Sequence, residues 1–159
     1  MATAYPMPDV PKIKQVLGLL FDGLEVKPGG TFDWAPAGGA WVGVFIADQG
    51  APVALCAMDA NLAATFGAAL SMLPPGAAKD AAKAKELTSV MIDNLREIMN
   101  ISTRLLMNDT SLHLKLGQLY PIKSLPAPGA ALLVATNTRT QFQMQLAKYG
   151  GGVLSLVAA

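Results

Sequence analysis

The chain has 159 residues, 52% hydrophobic and 14% charged, with a mean hydropathy of +0.39; that length suits one domain whose core needs neither metals nor crosslinks. Twelve basic and eleven acidic residues leave a formal charge of +1 with no basic block, which excludes a nucleic-acid footprint. The start, MATAYPMPDVPKIK, lacks the apolar stretch of a signal peptide, and VGVFIA and AALLVA are far shorter than the ~18 residues a membrane helix needs, so a soluble cytoplasmic protein with no membrane insertion is expected.

Asp9 is placed to cap a first helix, with Pro11 in its opening turn and Ile13, Val16, Leu17, Leu20 and Leu24 as its apolar stripe, ended by Lys27-Pro28-Gly29-Gly30. Two short β-rich runs, Ala40–Ala47 and Pro52–Met58, are separated by Asp48-Gln49-Gly50, a hairpin connection. Cys56 in the second run cannot form an internal disulfide and reads as a buried, inert thiol. Asp59 caps a second helix carrying Leu62, Phe66, Leu70 and Leu73, broken by Pro74-Pro75-Gly76. A third helix is expected from Ala77 towards Met107, roughly 30 residues, with a bend or break in AAKDAAKAKE.

Beyond Asn108-Asp109 the pattern turns to β. SLHLKL alternates, placing His113 on the polar face of a strand; ALLVA is a continuous apolar run; Gln141–Leu146 alternates between one apolar and one amide face. Lys148-Tyr149-Gly150-Gly151-Gly152 marks a flexible joint, followed by VLSLVAA as a final strand or an ordered tail, which leaves residues 149–159 as a candidate flexible C-terminal segment of a single domain spanning 1–159. With one histidine and one cysteine, a zinc site and histidine-based triad chemistry lack their parts. The order of elements predicts an α+β domain: an antiparallel sheet with helices, one of them long, packed on one face. The apolar surplus, much of it alanine, predicts cover by a partner subunit.

Within the long helical segment, Leu87, Met91, Leu95, Ile98, Ser102 and Leu105 share one side, while Asp93, Glu97, Asn100 and Arg104, spaced by four, three and four residues, form a ridge ~140° away. The ridge faces solvent or a partner. Asp93 and Glu97 repel each other by a few tenths of a kcal/mol, and Asn100 adds little helix propensity. An ordinary solvated helix face, with Asn100 and Arg104 in contact, is one reading of these positions. Met91, Met99 and Met107 recur at eight-residue intervals and read as core or an oligomer contact.

The pattern Asp, three residues, Glu, two residues, Asn, here Asp93-NLR-Glu97-IM-Asn100, resembles the signature of the CheC and CheX family of chemotaxis phosphatases, which remove the phosphoryl group from a phosphorylated response regulator. The order of elements from Val10 to Lys148 is similar to that of CheX-like chains. The resemblance implies that Glu97 docks on the regulator's lysine and that Asn100 orients water at the acyl phosphate; Asp93 matches the motif's first residue, with a supporting or helix-surface role. It also implies a homodimer, a receiver-domain partner with Asp93, Glu97 and Arg104 at the contact, and a magnesium ion (Mg2+) carried by that partner, with no cofactor in this chain. Where the family commonly has glycine before the glutamate, glycine before the asparagine and a small residue a few positions later, this chain has Arg96, Met99 and Arg104. Those three substitutions favour the alternative that the fold serves as a non-catalytic binding or assembly module. A third reading is a structural homo-oligomer, suggested by the apolar content and the amide-faced strand.

Overall fold

The computed structural model describes residues 5–134 and 138–159. Its strands form one antiparallel sheet in the order β1-β5-β6-β3-β2-β4, with β1 Glu25–Pro28, β2 Trp41–Ile46, β3 Pro52–Met58, β4 Lys115–Pro121, β5 Thr138–Leu146 and β6 Gly150–Ala158. The helices are α1 Val10–Leu17, α2 Ala60–Ala69, α3 Pro75–Ala84, α4 Ser89–Ser102 and α5 Ala127–Val134. The class is therefore α+β, as the pattern of elements predicts.

Alternation along the strands divides the core in two. Ala54, Cys56 and Met58 of β3, Phe142, Met144 and Leu146 of β5, and Leu154 and Leu156 of β6 point to the face covered by α1, α2 and α4. Leu55, Ala57, Val153 and Val157 point to the other, where Phe32, Ile122 and the apolar side of α5 lie. The short α5 thus covers the face opposite the other sheet-packing helices. α3 stands outside α2, burying Ala78 and Ala81 against it.

Several expectations are corrected. α1 stops at Leu17, and Leu19 is exposed; the chain turns through residues 18–24, with Gly23 at φ +75°, before entering β1. Phe21 and Leu24 still reach the core, Phe21 stacking on Phe66 at 4.3 Å between ring centroids. Lys27 and Pro28 belong to the edge strand β1, which the sequence hides because only Val26 of its four residues is buried. SLHLKL becomes strand only from Lys115; His113 lies in the preceding loop, its Nδ1 2.8 Å from Asp48 Oδ1 on the β2–β3 turn. Ala131–Val134 of ALLVA are helical within α5, because alanine and leucine favour helix once tertiary contacts do not select a strand; Ala135 lies outside the described residues.

The C-terminal correction has the clearest physical cause. Gly150–Ala158 is a strand between β5 and β3: VLSLVAA is the final strand, one of its two sequence readings, and the glycines expected to form a flexible joint belong to that strand. Gly152 sits where β6 meets the start of α2: a Cβ there would overlap the Asp59 carboxylate. Asp59 Oδ1 accepts from Leu62 N at 2.9 Å, capping α2, while Oδ2 accepts from Val153 N at 3.0 Å. The glycine run serves close approach of strand to helix cap.

The long helix breaks at the end of the lysine and alanine stretch, where Lys85 takes φ +55°. Thr88 then caps α4 through a bond from Met91 N to its Oγ1 at 3.3 Å. The segment after the break is α-helical from Ser89 to Ser102 and continues as a 3-10 turn over Thr103–Leu106.

Candidate functional site

α4 is fixed from its inner side. Met91, Leu95, Ile98, Met99 and Ser102 are fully buried, and Leu105 and Leu106 bury the 3-10 turn that follows. Gly67 of α2 lets the two helices approach closely: a Cβ added to it would lie 3.0 Å from Met91 Cβ. Across the same contact Asn94 Nδ2 donates to Gly67 O and to Ser71 Oγ, both at 2.8 Å. Periodicity alone does not reveal this clamp, because Asn94 falls between the buried and exposed faces.

On the outer side Asp93, Glu97 and Asn100 of α4 and Arg104 of the 3-10 turn are all exposed. All four therefore stay at the surface, Arg104 on the 3-10 continuation rather than on α4 itself, and the rod between Glu97 and Asn100 is unbroken. Their pairing differs from the solvated-face expectation. Asp93 Oδ1 accepts from Arg96 Nη1 at 3.1 Å, an exposed pair that neutralises both charges locally. Among the described residues the Glu97 carboxylate, the Asn100 carboxamide and the Arg104 guanidinium have no hydrogen-bonding partner, and Asn100 and Arg104 share no side-chain hydrogen bond. The backbone beneath is held instead: Thr103 Oγ1 donates to Asn100 O at 2.8 Å and Ser102 Oγ to Ile98 O at 2.7 Å.

The three departures from the motif's neighbours now separate. Met99 is 0% exposed and turned inward onto β2, where a Cβ on Gly43 would be only 3.0 Å from its sulfur. It presents nothing to a docking partner. Gly43 inside the run WVGVFI is the signal that could have announced this close approach from sequence. Arg96 and Arg104 remain on the surface. Met91 is core like Met99, and the half-buried Met107 offers its sulfur to Leu114 N at 3.3 Å.

Other groups with chemical potential are spent on structure. Burial pushes the Cys56 thiol up to about 12, so it stays protonated. Burial also raises the Asp59 carboxyl above its ordinary range, opposed by its bonds from Leu62 and Val153. No group of three or more metal-ligating side chains occurs among the described residues, and no helix there is long and apolar enough to cross a membrane. A concavity of about 520 Å³ between Pro36–Trp41, Ala84–Leu87 and Pro121–Lys123 is lined by none of the ridge residues. Neither Glu97 nor Asn100 lines this concavity or the smaller ones at Val44 and Tyr120, at Thr65 and Tyr149, at Glu25 and Gln145, and at Pro6 and Asn108. The two side chains stand exposed on the outer side of the helix, a placement that suits entry into another molecule's site more than enclosure of a small ligand.

No family model and no curated protein sequence matches the chain. Among solved structures, it is similar to the FliM middle domain from H. pylori (TM-score 0.55, 10% identity, covering 93% of this chain and 83% of that one). It is similar also to FliY from Thermotoga maritima (TM-score 0.50, 10% identity, 94% and 81% covered). A chain of the CheX-CheY-BeF3-Mg+2 complex from Borrelia burgdorferi aligns at TM-score 0.43 with 13% identity over 93% of this chain and 90% of that one, too loosely to bear on the fold. The chain thus has the fold seen in the FliM middle domain and FliY.

Proposed function

We propose that this protein docks through the outer ridge of α4 on a phosphorylated response-regulator receiver domain and hydrolyses its aspartyl phosphate. The observation that carries the reading is the pair Glu97 and Asn100: adjacent, exposed, without side-chain partners among the described residues, and mounted on a helix whose inner face is locked into the core. Glu97 supplies a carboxylate for a cation on the receiver. Asn100, one turn away, inserts its carboxamide beside the acyl phosphate and accepts a hydrogen bond from water while staying neutral next to the phosphoryl oxygens.

Little else is required of this chain. A loose phosphoryl-transfer transition state needs alignment and charge neutralisation more than a strong base. The water oxygen bonds to phosphorus as the bond from phosphorus to the aspartate oxygen breaks; the carboxylate leaves with the electron pair, and the water's protons end on inorganic phosphate or in solvent. The receiver supplies the magnesium ion that neutralises the phosphoryl group. A cytoplasmic homodimer is part of the same proposal, following the CheX resemblance of the motif.

Incubating the protein with phosphorylated receiver domains from the same organism tests the reading. Acceleration of phosphate release that is lost in Asn100→Ala supports it; no acceleration dependent on Asn100 removes it.

A second reading rests on a separate observation, the fold likeness to the FliM middle domain and FliY. In it the same surface binds a partner for assembly without chemistry. Receiver binding that survives Asn100→Ala, with no dephosphorylation by either form, selects that alternative.

A further inference from the structure

The ridge carries charge in an order that the motif alone does not explain. Asp93 and Arg96 cancel each other, which leaves two uncompensated charges on the outer face of α4 and its continuation: Glu97 at one end and Arg104 at the other, with Asn100 between them. Arg104 stands four residues beyond Asn100, about 6 Å along the axis. An arginine stem spans that distance, so the guanidinium can meet the same ligand atom group as the carboxamide. Its backbone is not free to swing away. Leu105 and Leu106 are buried, Thr103 is bonded to the carbonyl of Asn100, and Met107 N donates to Arg104 O at 3.3 Å.

The positive end is reinforced from a second element. Lys12 of α1 donates from Nζ to Met107 O at 3.4 Å, bringing another cation close to the same turn. The acid on that part of α1, Asp9, accepts from Lys12 N at 2.9 Å as the helix cap. Asp109 lies further along, in the exposed loop after the turn. The face therefore offers, in sequence, an anion, a neutral amide and a cation.

We infer that Arg104 is a phosphoryl-binding residue: its guanidinium contacts the oxygens of the receiver's aspartyl phosphate while Asn100 orients the attacking water. This rests on the receiver-docking reading above. Arg104 makes and breaks no covalent bond; it holds the phosphoryl group and offsets charge on its oxygens, a task that the planar fork of donors suits. The position that is small in the family's pattern is here filled by a residue that reads the phosphorylated state directly.

The test is a binding titration of the full chain against purified receiver domains from the same organism, each with beryllofluoride and magnesium as the phosphoryl mimic and without them. Wild type, Arg104→Ala and Arg104→Lys are compared. The preference for the loaded receiver, taken as the ratio of its affinity to that of the unloaded receiver, should fall roughly 10- to 100-fold in Arg104→Ala. Arg104→Lys should keep part of the preference, since a point charge replaces a fork. An unchanged preference, or tighter binding and faster dephosphorylation by Arg104→Ala, overturns the inference and makes Arg104 an obstruction. If wild type shows the arginine-dependent preference but releases no phosphate, the phosphatase reading falls and the phosphoryl contact stands. If no receiver binds in either state, both fall.

Discussion

Two asparagines on one helix, Asn94 and Asn100, have opposite fates. The amide of Asn94 is spent on Gly67 and Ser71 of α2 and ties two helices together, whereas the amide of Asn100 faces solvent with no partner among the described residues. The difference teaches that residue type says little about role until its hydrogen bonds are traced. A saturated amide at a helix contact stabilises the fold; an unsaturated one on a locked backbone is available to another molecule.

The contrast between the inner and outer sides of α4 can be pressed by substitution, beginning with the largest effect. Met99→Gly empties the space over Gly43 and weakens helix propensity, and should cost about 3–6 kcal/mol in denaturant unfolding. Any surviving folded variant should bind a receiver no better than wild type, because the methionine does not reach the docking face. Improved binding would show that Met99 shapes the outer side after all.

Asn94→Ala should lower stability by about 1–3 kcal/mol, since it leaves the Gly67 carbonyl without its side-chain donor. A stability equal to wild type would dissolve the distinction between the two asparagines.

Asp59 sharpens the contrast with the exposed Glu97 through pH. Its folded carboxyl is raised above the ordinary 3.8 by burial, so the unfolded chain gives up this proton first. Its contribution is full below that ordinary value and diminishes as pH rises through the folded one. Stability of wild type relative to Asp59→Asn should therefore fall across that interval, measured by urea unfolding at stepped pH; a relative stability that rises there would contradict the assigned direction. The smallest effect belongs to Arg96→Ala, which breaks an exposed pair with Asp93 and should change stability by no more than ~0.5 kcal/mol.

The ridge was legible in the sequence because a capped helix of fourteen residues imposes its own period: Thr88 starts it, and the buried set Met91, Leu95, Ile98 and Ser102 fixes which side is out. The β2–β3 hairpin and the apolar alternation of β5 were readable for the same local reason. What escaped was set by partners distant in sequence. The glycines of β6 suggest looseness until Asp59, more than ninety residues earlier, is seen against Val153. The central place of β6, the edge strand β1 and the helical state of α5 likewise depend on which neighbours the chain meets, which a short apolar or polar run does not specify. The meaning of Met99 depended on Gly43 across the core.

The central claim, that the unpartnered amide on α4 performs chemistry on a docked receiver, is tested most directly by single-turnover dephosphorylation of a phosphorylated receiver domain with saturating wild type, Asn94→Ala and Asn100→Ala at a temperature where all three are folded. The rate for Asn94→Ala should stay within about threefold of wild type and that for Asn100→Ala should fall at least about 100-fold. Equal rates for Asn100→Ala and wild type would contradict the claim.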